Sequence, residues 1–454
     1  MAGIGFELRK HLRDPSYGGL LTAYSIAGAI GSGPWIISIF GTIALGLLSV
    51  RLGGDGGETV RFLASVTWLI AASLILSGAI QLLFTRFVAD RLFEKRRDLV
   101  LPNLLGALLV TTAAALLVAA PIAVFSFEGR YVYRALLVAT FVVLNDVWLL
   151  SVFLTGMKAY RFVLGVFAVA YATSIAVALL LVRHGLEGLV GGFFAGQALL
   201  CFGMLGAVAR AYPSPSLVAF DFLDRRRVFV DLAATGVLYN VAVWIDKVIF
   251  WENPGTSEQV IGPIRASIVY DVPIFLAYCS TIPGMAVFLV RVETDFADHY
   301  DRLFDAVRGG GNLADIEHLR DAMVVAARDG LYDIFRIQGL TVVMLLLTGR
   351  ALLVALGISP FYETLFDVDV VGVGIQVVFL GVQTILFYLD YRILALALNG
   401  LFAALNFVLT IASLYLGPRF YGYGFALAVA ATTVCALFLL ARKLDRLEYE
   451  TFMR

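Results

Sequence analysis

The feature that most constrains this chain is a series of twelve apolar runs, each about as long as a bilayer is thick, separated by short polar connections. A bilayer core is crossed by about 20 apolar residues in a helix. Inside lipid, free N–H and C=O groups have no water to bond, so a crossing segment is a helix or a strand of a closed barrel. Barrel strands are about 10 residues long and alternate in polarity. These runs are longer and do not alternate. They place the spans near 20–50, 62–85, 100–126, 133–155, 162–182, 188–209, 228–251, 266–290, 337–357, 370–389, 393–416 and 420–441. The expected fold class is all-α, a polytopic membrane protein of 12 transmembrane helices.

Composition agrees and excludes other classes. Hydrophobic residues make up 60% of the chain and charged residues 15%, against about 25% charged in soluble domains. Net charge is zero, so no basic surface argues for nucleic acid. Cys201, Cys279 and Cys435 are scattered through apolar runs, and only four histidines are present. That pattern gives no disulfide framework and no metal site. No cofactor is expected. The charged start, Met1 to Asp14, leads into a run longer than a signal-peptide core, so the first run reads as a span.

Basic residues set the orientation. Of the 34 Lys and Arg, 25 fall in segments on the side of the N-terminus, eight on the other, and Lys247 lies within a span. Cytoplasmic connections carry such an excess. Both termini are therefore expected in the cytoplasm, with an even number of crossings.

The two halves end alike. Tyr160-Arg161 precedes the fifth span and Tyr391-Arg392 the eleventh. Each run then closes in a Gly-rich outer turn, His184-Gly185-Leu186-Glu187-Gly188 in one and Phe420-Tyr421-Gly422-Tyr423-Gly424 in the other. Tyr-Arg at a helix start is also a common interfacial anchor; the shared order of features favours duplication. Six spans begin and end on one side, so the repeats are expected to be two six-helix lobes, 1–215 and 216–454, related by a pseudo-two-fold axis along the membrane normal. The space between such lobes is the expected polar cavity. Residues 291–336 are read as a cytoplasmic loop. Asn312 would cap a helix there, with Ile316, Leu319, Met323 and Val324 on one face. Two readings stay open: a helix lying in the headgroups, or a docking site for a cytoplasmic partner.

Charged groups in lipid cost about 2.5–3.5 kcal/mol on insertion scales, so they line cavities or pair. Asp146 beside Asn145 in the fourth span, Asp246 and Lys247 in the seventh and Asp271 in the eighth are the candidates. Adjacent helical residues point about 100° apart, so Asp246 and Lys247 are expected to face different partners, one of them Asp146 or Asp271. Fixed ion pair and substrate-path residue both remain open. In the first span, Gly31, Gly33 and Pro34 predict a helix break, followed by Trp35. Tyr239, Asn240 and Trp244 mark the matching region of the seventh span; aromatic faces and amides suit sugar rings.

The opening Met1-Ala2-Gly3-Ile4-Gly5-Phe6-Glu7-Leu8-Arg9-Lys10, the Ser32-Gly33-Pro34-Trp35 segment, and Trp244-Ile245-Asp246-Lys247 followed by Phe250-Trp251 together resemble the PelG family. These are inner-membrane transporters of the Pel exopolysaccharide of Gram-negative biofilms. The resemblance runs the length of the chain. It implies the MOP superfamily, which includes the MATE exporters and polysaccharide flippases, with two lobes that alternate between inward-open and outward-open states. It implies a cationic polymer rich in N-acetylgalactosamine and galactosamine, a cytoplasmic Pel glycosyltransferase as partner, and further Pel membrane partners, one a cyclic-di-GMP sensor. No Gly-x-x-x-x-Gly-Lys-Ser/Thr loop is present, so ATP hydrolysis in this chain is not expected. The leading expectation is a non-enzymatic transporter of Pel polysaccharide. The alternatives are a membrane scaffold that activates the glycosyltransferase, and a MATE-like antiporter or lipid-linked glycan flippase.

Overall fold

The computed structural model describes residues 17–51, 54–127, 129–156, 160–224 and 229–447, and within these not the side chains of 17–23, 25–26, 29–36, 155–156 and 160–161. Nearly every described residue is helical. The elements are α1 (Tyr17–Arg51), α2 (Gly56–Phe93), α3 (Val100–Ser126), α4 (Tyr131–Gly156), α5 (Tyr160–Leu180), α6 (Gly185–Ala211) and α7 (Val230–Glu252). A two-stranded antiparallel hairpin follows, β1 (Glu258–Ile261) with β2 (Ile264–Ala266). Then come α8 (Ile268–Tyr278), α9 (Thr281–Val290), a π-helical turn Arg291–Phe296, α10 (Ala297–Arg308), α11 (Leu313–Ala355), α12 (Glu363–Tyr388), α13 (Arg392–Leu416) and α14 (Tyr423–Asp445). Among the described residues, eleven helical segments are long and apolar enough to cross a membrane, α8 to α10 counting as one, and α1 supplies a further apolar helix over Ile37–Arg51. Twelve helices with this composition make a polytopic membrane protein.

The eighth span is broken, which the sequence reading missed. Pro283 lacks an N–H and its ring opposes the helical carbonyl four residues earlier, so α8 stops at Tyr278 and α9 restarts at Thr281. At the break the Ser280 carbonyl accepts from Gln338 Nε2 at 3.1 Å. In the first span α1 runs through Pro34 as one helix; the side chains of Gly31, Gly33, Pro34 and Trp35 lie outside the described residues.

Residues 291–336 extend the sequence reading. They form a helical hairpin: α9 passes through the π turn into α10, the chain reverses at Gly309–Gly311, and α11 runs unbroken into the ninth span. The Asn312 cap is present, its side chain accepting from Asp315 N at 2.8 Å. At 43 residues, α11 is about 65 Å long, roughly twice a bilayer core. Two observations weigh against a helix lying in headgroups. The polar part is continuous with a spanning helix. Residues 291–336 also carry ten carboxylates against six arginines, the wrong sign for anionic lipid.

Packing divides the chain into two compact units whose borders run within helices. One takes α1 up to Gly33, Ile245–Phe250 of α7, and Ile268 onward; the other takes Pro34–Trp244 and Trp251–Ser267. In the second-named unit α4 packs against α2, α3 and α6, and α5 lies along α6. In the first-named, α12 packs against α8, α11 and α14, and α13 lies along α14. The duplication shows at residue level. Helices α4 and α12 begin 232 residues apart, as do α5 and α13. A Cβ at Gly192 would strike Ala178, and a Cβ at Gly424 would strike Thr410; each residue of the second contact lies 232 positions after its counterpart in the first. Small residues at such contacts let helix backbones approach closely.

Candidate functional site

A buried charged cluster occupies the unit that contains α8 to α14. Helix α7 contributes Asp246 and Lys247, 0% and 1% exposed. Against the sequence expectation, they pair with each other: Lys247 Nζ lies 3.0 Å from Asp246 Oδ2 and 3.3 Å from Oδ1. The 100° argument holds for Cβ directions; the four-carbon lysine stem is long enough to curl back along the helix. Asp146 belongs to the other unit.

Asp246 is held on more than one side. Tyr270 Oη of α8 donates to Oδ2 at 2.6 Å, and Asn406 Nδ2 of α13 donates to Oδ1 at 3.3 Å. Asn406 is itself oriented by Thr410, whose hydroxyl donates to Asn406 Oδ1 at 2.9 Å. The Tyr270 ring stacks on Phe250 at 3.9 Å between centroids. The Lys247 ammonium lies over two rings, 5.3 Å from the Tyr278 centroid and 5.2 Å from that of Phe425, a distance at which ring quadrupoles attract cations.

Asp369 of α12 completes the cluster. It is 0% exposed, neither carboxylate oxygen has a hydrogen-bond partner, and it interacts electrostatically with Lys247 and Asp246. Two buried carboxylates and one ammonium thus belong to the same unit. Isolated ions are costly when buried. Tyr270, Asn406 and Asp369 were missed from sequence. Asn406 lay in plain view inside the eleventh span. Asp369 fell one residue before the expected start of the tenth, because α12 begins at Glu363, six residues earlier.

The other candidates are dispersed. Asp146 of α4 is half-buried; its Oδ2 accepts from Thr112 Oγ1 at 3.0 Å, and its Oδ1 has no partner. Neighbouring Asn145 is fully buried and donates to the Phe141 carbonyl at 2.7 Å. Asn240 is half-buried and bonds back to the Gly236 carbonyl at 2.9 Å; Tyr239 beside it is half-buried too. Trp244 is 8% exposed and its ring packs 6.1 Å from Trp251, which in turn lies 4.7 Å from Trp68. Trp68 Nε1 donates to the Arg265 carbonyl of β2 at 2.7 Å. These rings are core, tied to the β-hairpin. Asp271 sits half-buried in the first turn of α8.

In sequence, residues 1–452 match the PelG family, the exopolysaccharide exporters (EPS-E). The chain belongs to the PelG family. No curated protein matches it in sequence. Solved transporters share its fold at low identity. A MOP-superfamily transporter from Pyrococcus furiosus, described as having a binding pocket of reversed polarity that suggests a different function, is 11% identical over 93% of this chain and 95% of its own, with a TM-score of 0.60. A multidrug-resistance MATE transporter in an outward-facing conformation is 12% identical over 93% and 96%, with a TM-score of 0.61. A MATE structure in a bent conformation is 11% identical over 95% and 96%, also at 0.61. This PelG family member therefore has the MATE-like transporter fold.

Proposed function

We propose that this chain exports the Pel exopolysaccharide, a cationic polymer of N-acetylgalactosamine and galactosamine, across the bacterial inner membrane as one part of a secretion complex for biofilm matrix. The observation that carries the reading is the family match along the whole chain on a transporter fold. In this reading both termini are cytoplasmic, 1–215 and 216–454 are the two repeat units, and the partners are the Pel glycosyltransferase and membrane proteins including a cyclic-di-GMP sensor. The chain carries substrate and does no covalent chemistry on it.

Asp146 is the acid best suited to meet an amino sugar. Its Oδ1 is not committed to another protein group, whereas Asp246 is saturated by Lys247, Tyr270 and Asn406. The test is secreted polymer from cells carrying Asp146→Asn, Asp271→Asn or Asp246→Asn at matched membrane levels. Asp146→Asn is expected to reduce secretion most. Unchanged secretion in all three variants removes the acids from the substrate path.

A scaffold role is favoured by one feature, the helical hairpin of α10 and α11, which is longer than a span requires. Reversing exposed charges at Asp315, Glu317 and Asp321 separates the readings: a scaffold loses polymer synthesis inside the cell, a transporter accumulates it there.

A further inference from the structure

We propose that α9 is a movable segment of the eighth span, a ten-residue helix held between two joints, through which the polar hairpin of α10 and α11 acts on that span. The first joint is the break at Cys279 and Ser280, where the amides bond only three residues back, to the carbonyls of Leu276 and Ala277. The second is the π turn Arg291–Phe296, where Thr294 Oγ1 donates to the Leu289 carbonyl, five residues back, at 3.0 Å. Pro283 accounts for the first joint. No proline lies between 284 and 300, so packing imposes the second; π turns inside helices are frequent at functional sites. Helix α10 leads directly out of the π turn, and α11 is itself the ninth span. A tilt of α10 against α11 therefore arrives at the second joint.

Both joints are tied to one helix. Gln338 of α11 is fully buried, and its Nε2 holds the Ser280 carbonyl at 3.1 Å. Asp333, earlier in α11, pairs with Arg291 Nη2 at 2.7 Å, while Arg291 Nη1 donates to Asp295 within the π turn at 3.0 Å. The contacts along α9 are glycine-sized. A Cβ on Gly284 would collide with Gln338 Oε1, one on Gly330 of α11 would lie 3.3 Å from Arg291 Cβ, and one on Gly28 of α1 would lie 3.5 Å from Ala286 Cβ. Packed helices shift by small sliding steps, and glycine faces offer no knob that fixes their register. The first tie also carries a spare hydrogen bond. Ser280 Oγ and Gln338 Oε1 are both buried without a hydrogen-bond partner; one can donate and the other accept. A shift of α9 that breaks the present bond can make this one instead, so the tie has two paired arrangements. A fixed kink needs one joint and one tie. It explains neither the π turn nor the unused pair, whose burial costs stability.

The experiment cuts the second tie and reads the first joint. Cys279 sits half-buried in the break. It is the reporter in full-length protein carrying Cys201→Ala and Cys435→Ala, purified in detergent and labelled with a neutral maleimide. Helix α9 is about 15 Å long, so Asp333→Asn acts on Cys279 only through it. Asp333→Asn is expected to speed labelling several-fold. Arg308→Gln, which cuts the pair with Asp305 at the far end of α10, is expected to leave it unchanged. Arg291→Gln cuts the same tie from the other side and is read in the same way where Asp333→Asn does not fold. If neither folds, the Cys279-only protein is labelled at rising salt, which screens this partly exposed pair, and faster labelling is again expected. In the reverse direction, Gln338→Met is expected to raise hydrogen exchange across 291–296. The proposal is overturned if cutting the tie leaves Cys279 labelling unchanged, or if Arg308→Gln speeds it equally. It is also overturned if Gln338→Met leaves exchange at the π turn as in wild type. The inference does not depend on which polymer is exported.

Discussion

Helices α2 and α7 cross at glycine, and this contact predicts opposite signs for the same substitution at two sites. A Cβ built on Gly236 runs into the backbone carbonyl of Gly78, while one on Gly78 comes to 2.7 Å from the Gly236 carbonyl oxygen and 2.8 Å from Asn240 Nδ2. Ordinary carbon contacts begin at 3.4 Å. The obstacle is main chain on both sides, so no rotamer change relieves it and the helices must separate. Gly206 in α6 is the control, since a Cβ there meets nothing within 4 Å. Gly→Ala in a helix interior gains about 1 kcal/mol of propensity at either place. Overpacking a close contact costs about 1–3 kcal/mol or more. The propensity gain cancels between the two variants, so the difference between Gly236→Ala and Gly206→Ala isolates the steric cost. Gly206→Ala is expected to melt at or above wild type, and Gly236→Ala clearly below Gly206→Ala. Fluorescence-detected size exclusion after graded heating reads this on small amounts of membrane protein. Equal melting of the two variants would refute the backbone crossing.

Two further predictions concern the other polar ties of this unit. Asn103 joins the start of α3 to the segment before α7: its amide donates to Asp221 Oδ2 at 3.0 Å and its oxygen accepts from Asp221 N at 2.8 Å. Asn103→Ala is expected to cost about 1–3 kcal/mol by leaving these groups unmet, and to speed protease cleavage between 212 and 224 with little change elsewhere. Trp68→Phe keeps the ring against Trp251 but loses the bond to Arg265, an expected loss of about 1 kcal/mol. Trp68→Ala removes the ring as well and is expected to cost about 3–5 kcal/mol, with the β-hairpin at 258–266 becoming protease-sensitive.

Much of the fold was legible because lipid permits few solutions. Length and apolarity located all the spans, and basic residues supported an even count. What escaped was local. Pro283 was visible, but an apolar run around it masked the break between α8 and α9. The Asn312-capped helix within 291–336 was legible, but not its continuity with the ninth span; α11 shows that a helix runs on through a polar stretch when caps and ion pairs sustain it. Of the site, Asp246 and Lys247 were legible as costly residues in a span. Their mutual pairing was not, because helix geometry fixes Cβ directions and not the reach of a lysine. Asp369 and Tyr270 became meaningful only once α8 and α12 brought them to α7.

The duplication sharpens what that cluster means. At the 232-residue offset, Asn406 corresponds to Ser174, and Asp369 corresponds to Leu137. Ser174 and Leu137 are buried in their own unit as Asn406 and Asp369 are in theirs. Equivalent positions in the two repeats are therefore equally enclosed, yet only one carries the acid and the amide. Packing alone does not require them, since the other repeat builds the same helix contacts with leucine and serine. Retaining a buried carboxylate with no hydrogen bond, at a place where a leucine fits, costs stability. The asymmetry between the repeats points to a role for the charge that only one of them performs. That role is tied to α7, the helix that brings Asp246 and Lys247 to this cluster.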